Sequence, residues 1–186
     1  MSAAETVPAI ARTRDWLERF VIGLSLCPFA AAPYRAGRVV YALSEGGSAD
    51  VIYRDFLQAL HDFVRADPVQ QETALLIIEQ GLESFDAYLD MLAMLEQALL
   101  AAGLEGVLQL ASFHPDYLFD GVSADDPANY TNRSPYPMFH LIREDGLAAA
   151  LQRYPDPEAI PRRNIERLRG LGLDGIRALL AGDQPR

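Results

Sequence analysis

Two kinds of apolar pattern alternate along the chain. In residues 9–25 the apolar side chains recur every three or four positions, which indicates an amphipathic helix. Residues 73–78 are instead apolar on both alternating faces, as expected of a strand that is covered on both sides. The complete pattern predicts four strands, at 38–43, 73–78, 107–113 and 138–143. It predicts helices at 9–25, 48–66, 84–103, 146–154, 156–170 and 174–181.

This alternation of helices and strands predicts an α/β fold. We expect a single domain over residues 1–186, with an ordered core of about 9–181 and a frayed tail at 182–186. Right-handed crossovers would make the first three strands parallel. The sequence thus predicts a mixed, mostly parallel sheet of about four strands with helices packed on it. A long loop separates the third and fourth strands, which allows the fourth to run antiparallel, at an edge or beside the third.

Composition and charge narrow the range of partners. The formal net charge of −10 opposes binding to phosphate backbones, so we expect no nucleic-acid partner. No apolar run is long enough to span a bilayer, and the first residues lack a signal-peptide pattern. The chain has a single cysteine and so forms no internal disulfide. Together these features predict a cytoplasmic protein without a membrane partner.

All 16 basic residues are arginine. Without lysine there is no lysine-anchored pyridoxal phosphate and no ordinary P-loop. Neither His-x-x-x-His nor Cys-x-x-Cys spacing, which would indicate a metal site, occurs in the sequence. We therefore predict no cofactor and no metal. An arginine run near the C-terminus, at 162, 163, 167 and 169, is interpreted as a solvated helix face.

The strongest indication of a functional site is the irregular stretch at 112–143. Long loops in compact domains are uncommon, and this one has too many aromatic residues for disorder. In open α/β sheets the site lies beyond the carboxyl ends of the parallel strands. This edge is predicted to bring together side chains from separate stretches, namely Glu45, Glu79, His114, Asp116 and Arg133.

Our preferred hypothesis is an enzyme that acts on a small anionic molecule by acid–base chemistry. His114 would carry the proton and Asp116 or Glu79 would orient its ring. Arg133 would bind the anion, because its planar fork matches a carboxylate or phosphate. Other predicted contributors to substrate binding are Glu45, Tyr130, Asn132, Ser134, Tyr136 and Arg143. A structural alternative remains for the two central residues: His114 would close a strand by bonding a loop carbonyl, and Arg133 would bond its own loop.

Two other functions stay open. The aromatic residues Tyr117, Phe119, Tyr130 and Tyr136 are of the type found in interface cores, which suits a non-catalytic binding protein or a homo-oligomer. Cys27, in the sequence Leu26-Cys-Pro-Phe-Ala30, would be the reactive thiol of a redox protein. The opposing interpretation is that Cys27 is a small buried hydrophobic residue.

Four motifs together resemble a known family. They are Leu26-Cys-Pro-Phe-Ala30, Phe113-His-Pro115, Tyr130-Thr-Asn-Arg-Ser-Pro-Tyr-Pro137 and His140-Leu-Ile-Arg-Glu144. The chain looks like a member of a bacterial family catalogued only as a domain of unknown function, over residues 13–170. The resemblance implies a stand-alone bacterial cytosolic protein and carries no activity with it.

Overall fold

A computed structural model describes residues 8–181 of the chain, so the predicted fraying of 182–186 lies outside the described residues. The strands are β1 (Val39–Ser44), β2 (Thr73–Ile78), β3 (Leu108–Phe113) and β4 (Met138–Arg143). The α-helices are α1 (Pro8–Trp16), α2 (Ala31–Arg35), α3 (Ala49–Arg65), α4 (Phe85–Ala101), α5 (Glu144–Gln152) and α6 (Ile160–Ala181). A π-helical turn, Leu17–Ile22, continues α1, and two 3₁₀ turns lie at Pro127–Thr131 and Pro157–Ala159. The predicted α/β class is confirmed.

The strands form one sheet in the order β1-β2-β4-β3. β1 and β2 pair in parallel, whereas β4 is antiparallel to both of its neighbours. The prediction of a mostly parallel sheet is therefore wrong. The first three strands do run in one direction, but the long loop returns the chain so that β4 inserts between β2 and β3. Its central position fits its composition, since Met138, Phe139 and Leu141 are all fully buried.

One face of the sheet is covered by α3 and α4. Both helices begin where the sequence predicts, because Ser48 accepts a hydrogen bond from the backbone N–H of Val51, and Ser84 accepts one from that of Ala87. Their buried stripes pack on alternate residues of β2 and β4. Tyr88 stacks on Phe139 with ring centroids 4.8 Å apart, which joins α4 to the centre of the sheet.

The opposite face is covered by α1, its π-helical turn and α6. These elements pack around Ile77 and Met138 of the sheet. The predicted helix 9–25 ends earlier, at Ile22. The helices predicted at 156–170 and 174–181 are two arms of α6 that meet at Gly172, whose backbone is not helical (φ 66°, ψ 171°). Within residues 8–181 no helix is both long and apolar enough to cross a membrane.

The carboxyl ends of the first three strands meet the beginning of β4 at one edge of the sheet. The backbone N–H of Glu79 donates to the carbonyl of Ser44 at 3.0 Å, and that of Ile78 donates to the carbonyl of Pro137 at 3.0 Å. Gly46 lies so close to Gln80 that a Cβ atom would be 1.8 Å from its carbonyl oxygen, so only glycine fits here. This is the edge to which the sequence assigns the site.

Candidate functional site

His114 is completely buried where β3 ends, and both of its ring nitrogens bond the backbone. Its Nδ1 accepts a hydrogen bond from the N–H of Asp116 at 3.0 Å. Its Nε2–H therefore donates to the carbonyl of Leu82, 2.9 Å away. Burial lowers the pKa of His114 below its usual value, which keeps the ring neutral. Proton transfer by His114 stays a prediction, and these contacts favour the structural alternative.

Arg133 also supports the loop that contains it. Its Nε donates to the carbonyl of Tyr117 and one Nη donates to that of Ala124, each at 3.1 Å. Its guanidinium lies over the ring of Tyr130, 4.9 Å from the centroid. Within residues 8–181 these contacts use Nε and one Nη, so the other Nη group has no hydrogen-bond partner there.

The polar residues beside Arg133 hold the same loop. The side-chain amide of Asn132 donates to the backbone carbonyl of Ser112 at 3.0 Å. The backbone carbonyl of Asn132 accepts a hydrogen bond from the backbone N–H of His114. The hydroxyl of Ser134 donates to the carbonyl of Tyr136 at 2.6 Å. These bonds extend the strand pairing beyond the end of β3. The polar residues of the motif at 130–137 thus stabilise the conformation of the loop, and their role in binding stays a prediction.

His114 and Arg133 line two different cavities. The first has a volume of about 260 Å³ and is lined by Arg12, Asp15, Trp16, Arg19, Phe20, Pro115, Tyr130, Arg133, Ser134, Pro135, Leu179 and Leu180. The second, of about 220 Å³, is lined by Ile78, Glu79, Gln80, Leu82, Glu83, His114, Pro115, Asp116 and Pro137. Only Pro115 lines both. The imidazole and the guanidinium, which the sequence predicts to come together at this edge of the sheet, therefore line separate cavities.

The charged side chains that line the first cavity are mostly basic. Three arginines line it, against one carboxylate, that of Asp15, which forms an ion pair with Nε of Arg19 at 2.5 Å. The guanidinium of Arg12 lies 5.8 Å from the ring centroid of Tyr136, another residue of the predicted set. Because the arginines outnumber the carboxylate by two, the cavity favours an anion.

The apolar wall of this cavity comes from α1, its π-helical turn and the second arm of α6. Trp16, the single tryptophan of the chain, is 5% exposed, and its indole N–H has no acceptor within residues 8–181. A buried donor without an acceptor is costly and therefore calls for an explanation. Phe20 belongs to the π-helical turn, a rare conformation that is frequent at functional sites.

Sequence reasoning missed the contribution of α1. Arg12, Asp15, Trp16 and Arg19 follow the i, i+3, i+4, i+7 spacing that places side chains on one helix face. A tryptophan among charged residues on that face was the available signal. Nothing in the sequence places the loop at 130–135 against these charged residues, so the amphipathic pattern alone does not assign them to a site.

The second cavity is acidic. Glu79, Glu83 and Asp116 line it beside the neutral ring of His114. Backbone N–H groups hold the pKa of Glu83 below its usual range, and the N–H of Gly81 donates to its carboxylate at 2.8 Å. In the described part of the chain, no group of three or more His, Cys, Asp or Glu side chains could hold a metal ion. The three residues that the sequence predicts to be catalytic, His114, Asp116 and Glu79, thus line one cavity, and their catalytic role stays a prediction.

Four predicted binding residues line neither cavity: Asn132 and Tyr136, which belong to the loop beside Arg133, and Glu45 and Arg143. Glu45 is exposed and lines neither of the two. Arg143 is at the far end of β4, where its Nε donates to the carbonyl of Gln71 and an Nη donates to those of Phe63 and Ala66. These acceptors include the last carbonyls of α3, so Arg143 caps that helix. Substrate contact by Arg143 stays a prediction that these contacts do not support, because its side chain is at the opposite edge of the sheet.

The remaining candidates for chemistry, Cys27 and His140, are partly buried. Burial raises the pKa of Cys27, the opposite of what a reactive thiol requires. The Nε2–H of His140 donates to the hydroxyl of Thr73, which in turn donates to the carbonyl of Leu141. Desolvation lowers the pKa of His140 to about 4. His140 is therefore the satisfied core histidine that its position in a strand predicts.

The fold and the cavities define a class of protein: an α/β protein with a mixed four-stranded sheet and an arginine-lined cavity beside it. Comparison with family models then places the chain. It belongs to the family described as "Protein of unknown function (DUF1415)", whose model matches residues 8–178. This confirms the resemblance to a family of unknown function. Searches of curated proteins and of solved structures found no match.

Proposed function

We propose that this protein binds a small organic anion in the cavity between α1, the loop at 130–135 and the end of α6. The supporting observation is that Arg12, Arg19 and Arg133, from two separate parts of the chain, line one cavity of about 260 Å³. Guanidinium groups form strong, directional hydrogen bonds with carboxylates and phosphates. The sequence predicts the binding of a small anionic molecule from Arg133. Arg12 and Arg19, which line the same cavity, add support for this proposal.

The cavity suits an organic anion because its walls are partly apolar. Trp16, Phe20 and the side chains of Leu179 and Leu180 would contact the carbon skeleton of the ligand. Its volume is below the roughly 300–1,000 Å³ of typical drug-sized sites, so the ligand is small. Catalysis on this ligand has no support from the cavity itself, since His114 lines the other one.

The single tryptophan makes this proposal testable. With excitation at a wavelength that only tryptophan absorbs, titration with phenyl phosphate or benzoate should change the fluorescence of Trp16 and saturate. Benzamide, which is uncharged, should have no effect at the same concentrations. Arg12→Gln and Arg19→Gln should each weaken binding about tenfold, because a hydrogen bond to a charged group contributes about 1.5–3 kcal/mol.

The control is Arg14→Gln, on the same helix. Arg14 lies over the ring of Tyr41, 4.7 Å from its centroid, and does not line the cavity. This variant should bind as the wild type does. The proposal would be overturned if neither anion changed the fluorescence, or if benzamide bound as tightly as the anions.

A further inference from the structure

The three arginines that line the first cavity differ in how many of their hydrogen-bond donors already have a partner. The guanidinium of Arg12 takes part in none of the ion pairs found within residues 8–181. Arg133 has one Nη group left after its two bonds to loop carbonyls. The Nε of Arg19 is bound to Asp15, which leaves its two Nη groups. An incoming anion therefore meets donors from three guanidinium groups.

This distribution distinguishes between classes of anion. A carboxylate has two oxygens in one plane, and a single guanidinium fork satisfies both. A phosphate monoester has three terminal oxygens that point in different directions, and its charge near neutral pH is about −1.5 to −2. Three donors on separate side chains match the three oxygens.

The net charge of the side chains that line the cavity also favours a phosphate monoester over a carboxylate. Three arginines and Asp15 leave two positive charges along its wall. A dianion neutralises both, whereas a carboxylate leaves one uncompensated. Asp15 already bonds Arg19, so a monocarboxylate that displaced it would only replace one carboxylate by another.

We propose that the ligand of this cavity is the phosphate monoester of a small apolar or aromatic alcohol. This inference rests on the proposed binding of an organic anion and specifies its chemical class. The phosphate would lie among Arg12, Arg19 and Arg133, and the organic part would lie against Trp16 and Leu179. The cavity volume of about 260 Å³ limits the organic part to the size of about one ring.

The test compares two ligands that share a phenyl ring. Phenyl phosphate and benzoate are titrated against the full chain at pH 8 and low ionic strength, with the fluorescence of Trp16 as the signal. Phenyl phosphate should bind at least about tenfold more tightly than benzoate. If benzoate binds equally well or better, the assignment to phosphate monoesters is overturned, while the proposed binding of organic anions stands. If neither binds, both proposals fail.

Two further measurements separate charge from shape. Below pH 6 phenyl phosphate loses its second charge while benzoate stays largely ionised, so at pH 5 the preference should shrink several-fold. Inorganic phosphate should compete with phenyl phosphate but bind more weakly, because it lacks the organic part. A preference that does not change with pH would overturn the proposal.

Arg12→Gln gives the corresponding genetic test. This exposed side chain has no ion pair to lose, so the variant should fold normally, which circular dichroism would establish. It should weaken the binding of phenyl phosphate more than that of benzoate, so that the ratio of their affinities falls at least about threefold. An unchanged ratio would overturn the assignment, and Arg14→Gln is again the control.

Discussion

The backbone N–H of Asp116 donates to Nδ1 of His114 at 3.0 Å, across a single proline. The other ring nitrogen of His114 binds the carbonyl of Leu82, in the segment that leads into α4. One imidazole thus joins the end of β3 to a neighbouring loop, and this contact forms part of the floor of the second cavity. The sequence predicts proton transfer for His114, but in the structure its side chain connects two segments of backbone.

Replacement of His114 should therefore destabilise the fold. His114→Ala leaves the buried carbonyl of Leu82 and the partly buried N–H of Asp116 without their partner and opens a cavity, which should cost about 2–4 kcal/mol. Urea denaturation monitored by circular dichroism measures the free energy of unfolding. The control is His61→Ala, on an exposed position of α3, which should change it by less than about 0.5 kcal/mol. If both variants proved equally stable, His114 would be free for catalysis.

Stability should depend on pH through the buried histidines. The pKa of His140 is lowered from 6.5 to about 4, and that of His114 is lowered as well. Between these pKa values the unfolded chain binds a proton that the folded chain does not, so the free energy of unfolding decreases as the pH falls from about 6.5 to 4. His140 alone should account for about 3 kcal/mol, since one pKa unit corresponds to about 1.4 kcal/mol.

His140→Gln isolates this effect. Glutamine keeps a donor for the hydroxyl of Thr73 but does not titrate. The variant should therefore lose less stability than the wild type between pH 7.5 and pH 4.5, as determined by urea denaturation at each pH. Equal losses in the two proteins would show that His140 does not titrate in the predicted range. The low pKa of Asp126, caused first by the hydrogen bond from Arg169, affects stability only in more acidic solution.

Much of the fold follows from local sequence. Ser48 and Ser84 mark the helix starts, and the bounds of β2 and β4 coincide with the predicted runs at 73–78 and 138–143. These features depend on residues adjacent in the chain. The position of β4 in the sheet does not follow from residues adjacent in the chain. It depends on which two strands are stabilised most by pairing with the two edges of β4. An apolar strand such as β4 favours the centre of a sheet, and that was the missed signal.

The site was less predictable, for a related reason. In the structure Arg133 and Tyr130 line one cavity, and Glu79, His114 and Asp116 line the other, while their roles in binding or catalysis stay predictions. The sequence could not reveal which backbone carbonyls each polar side chain would meet, and these contacts give Arg143 and Asn132 their structural roles. The residues of α1 join the site only through tertiary packing.

Arg143 offers a test of this structural role. Arg143→Met keeps an unbranched apolar side chain but removes the guanidinium, which lies over the ring of Phe63 and forms three hydrogen bonds to the end of α3 and the following loop. We expect a loss of about 2–3 kcal/mol in the free energy of unfolding, because buried carbonyls lose charged donors. Arg54→Met, at an exposed position, should be nearly neutral.

The affinity of Arg143→Met for phenyl phosphate distinguishes the two roles of this arginine. Since Arg143 lies at the opposite edge of the sheet from the arginine-lined cavity, the folded variant should bind phenyl phosphate as the wild type does. A stable variant with weakened binding would instead restore Arg143 to the binding site. Fluorescence titration below the melting temperature of the variant gives the answer.

The most direct measurement is a crystal structure of the protein grown with phenyl phosphate at a concentration that saturates the fluorescence change. Our account predicts the phosphate in the cavity lined by Arg12, Arg19 and Arg133, with its oxygens about 2.7–2.9 Å from guanidinium nitrogens and the ring against Trp16. An empty cavity, or phenyl phosphate bound at another surface such as the arginine run at 162–169, would contradict it.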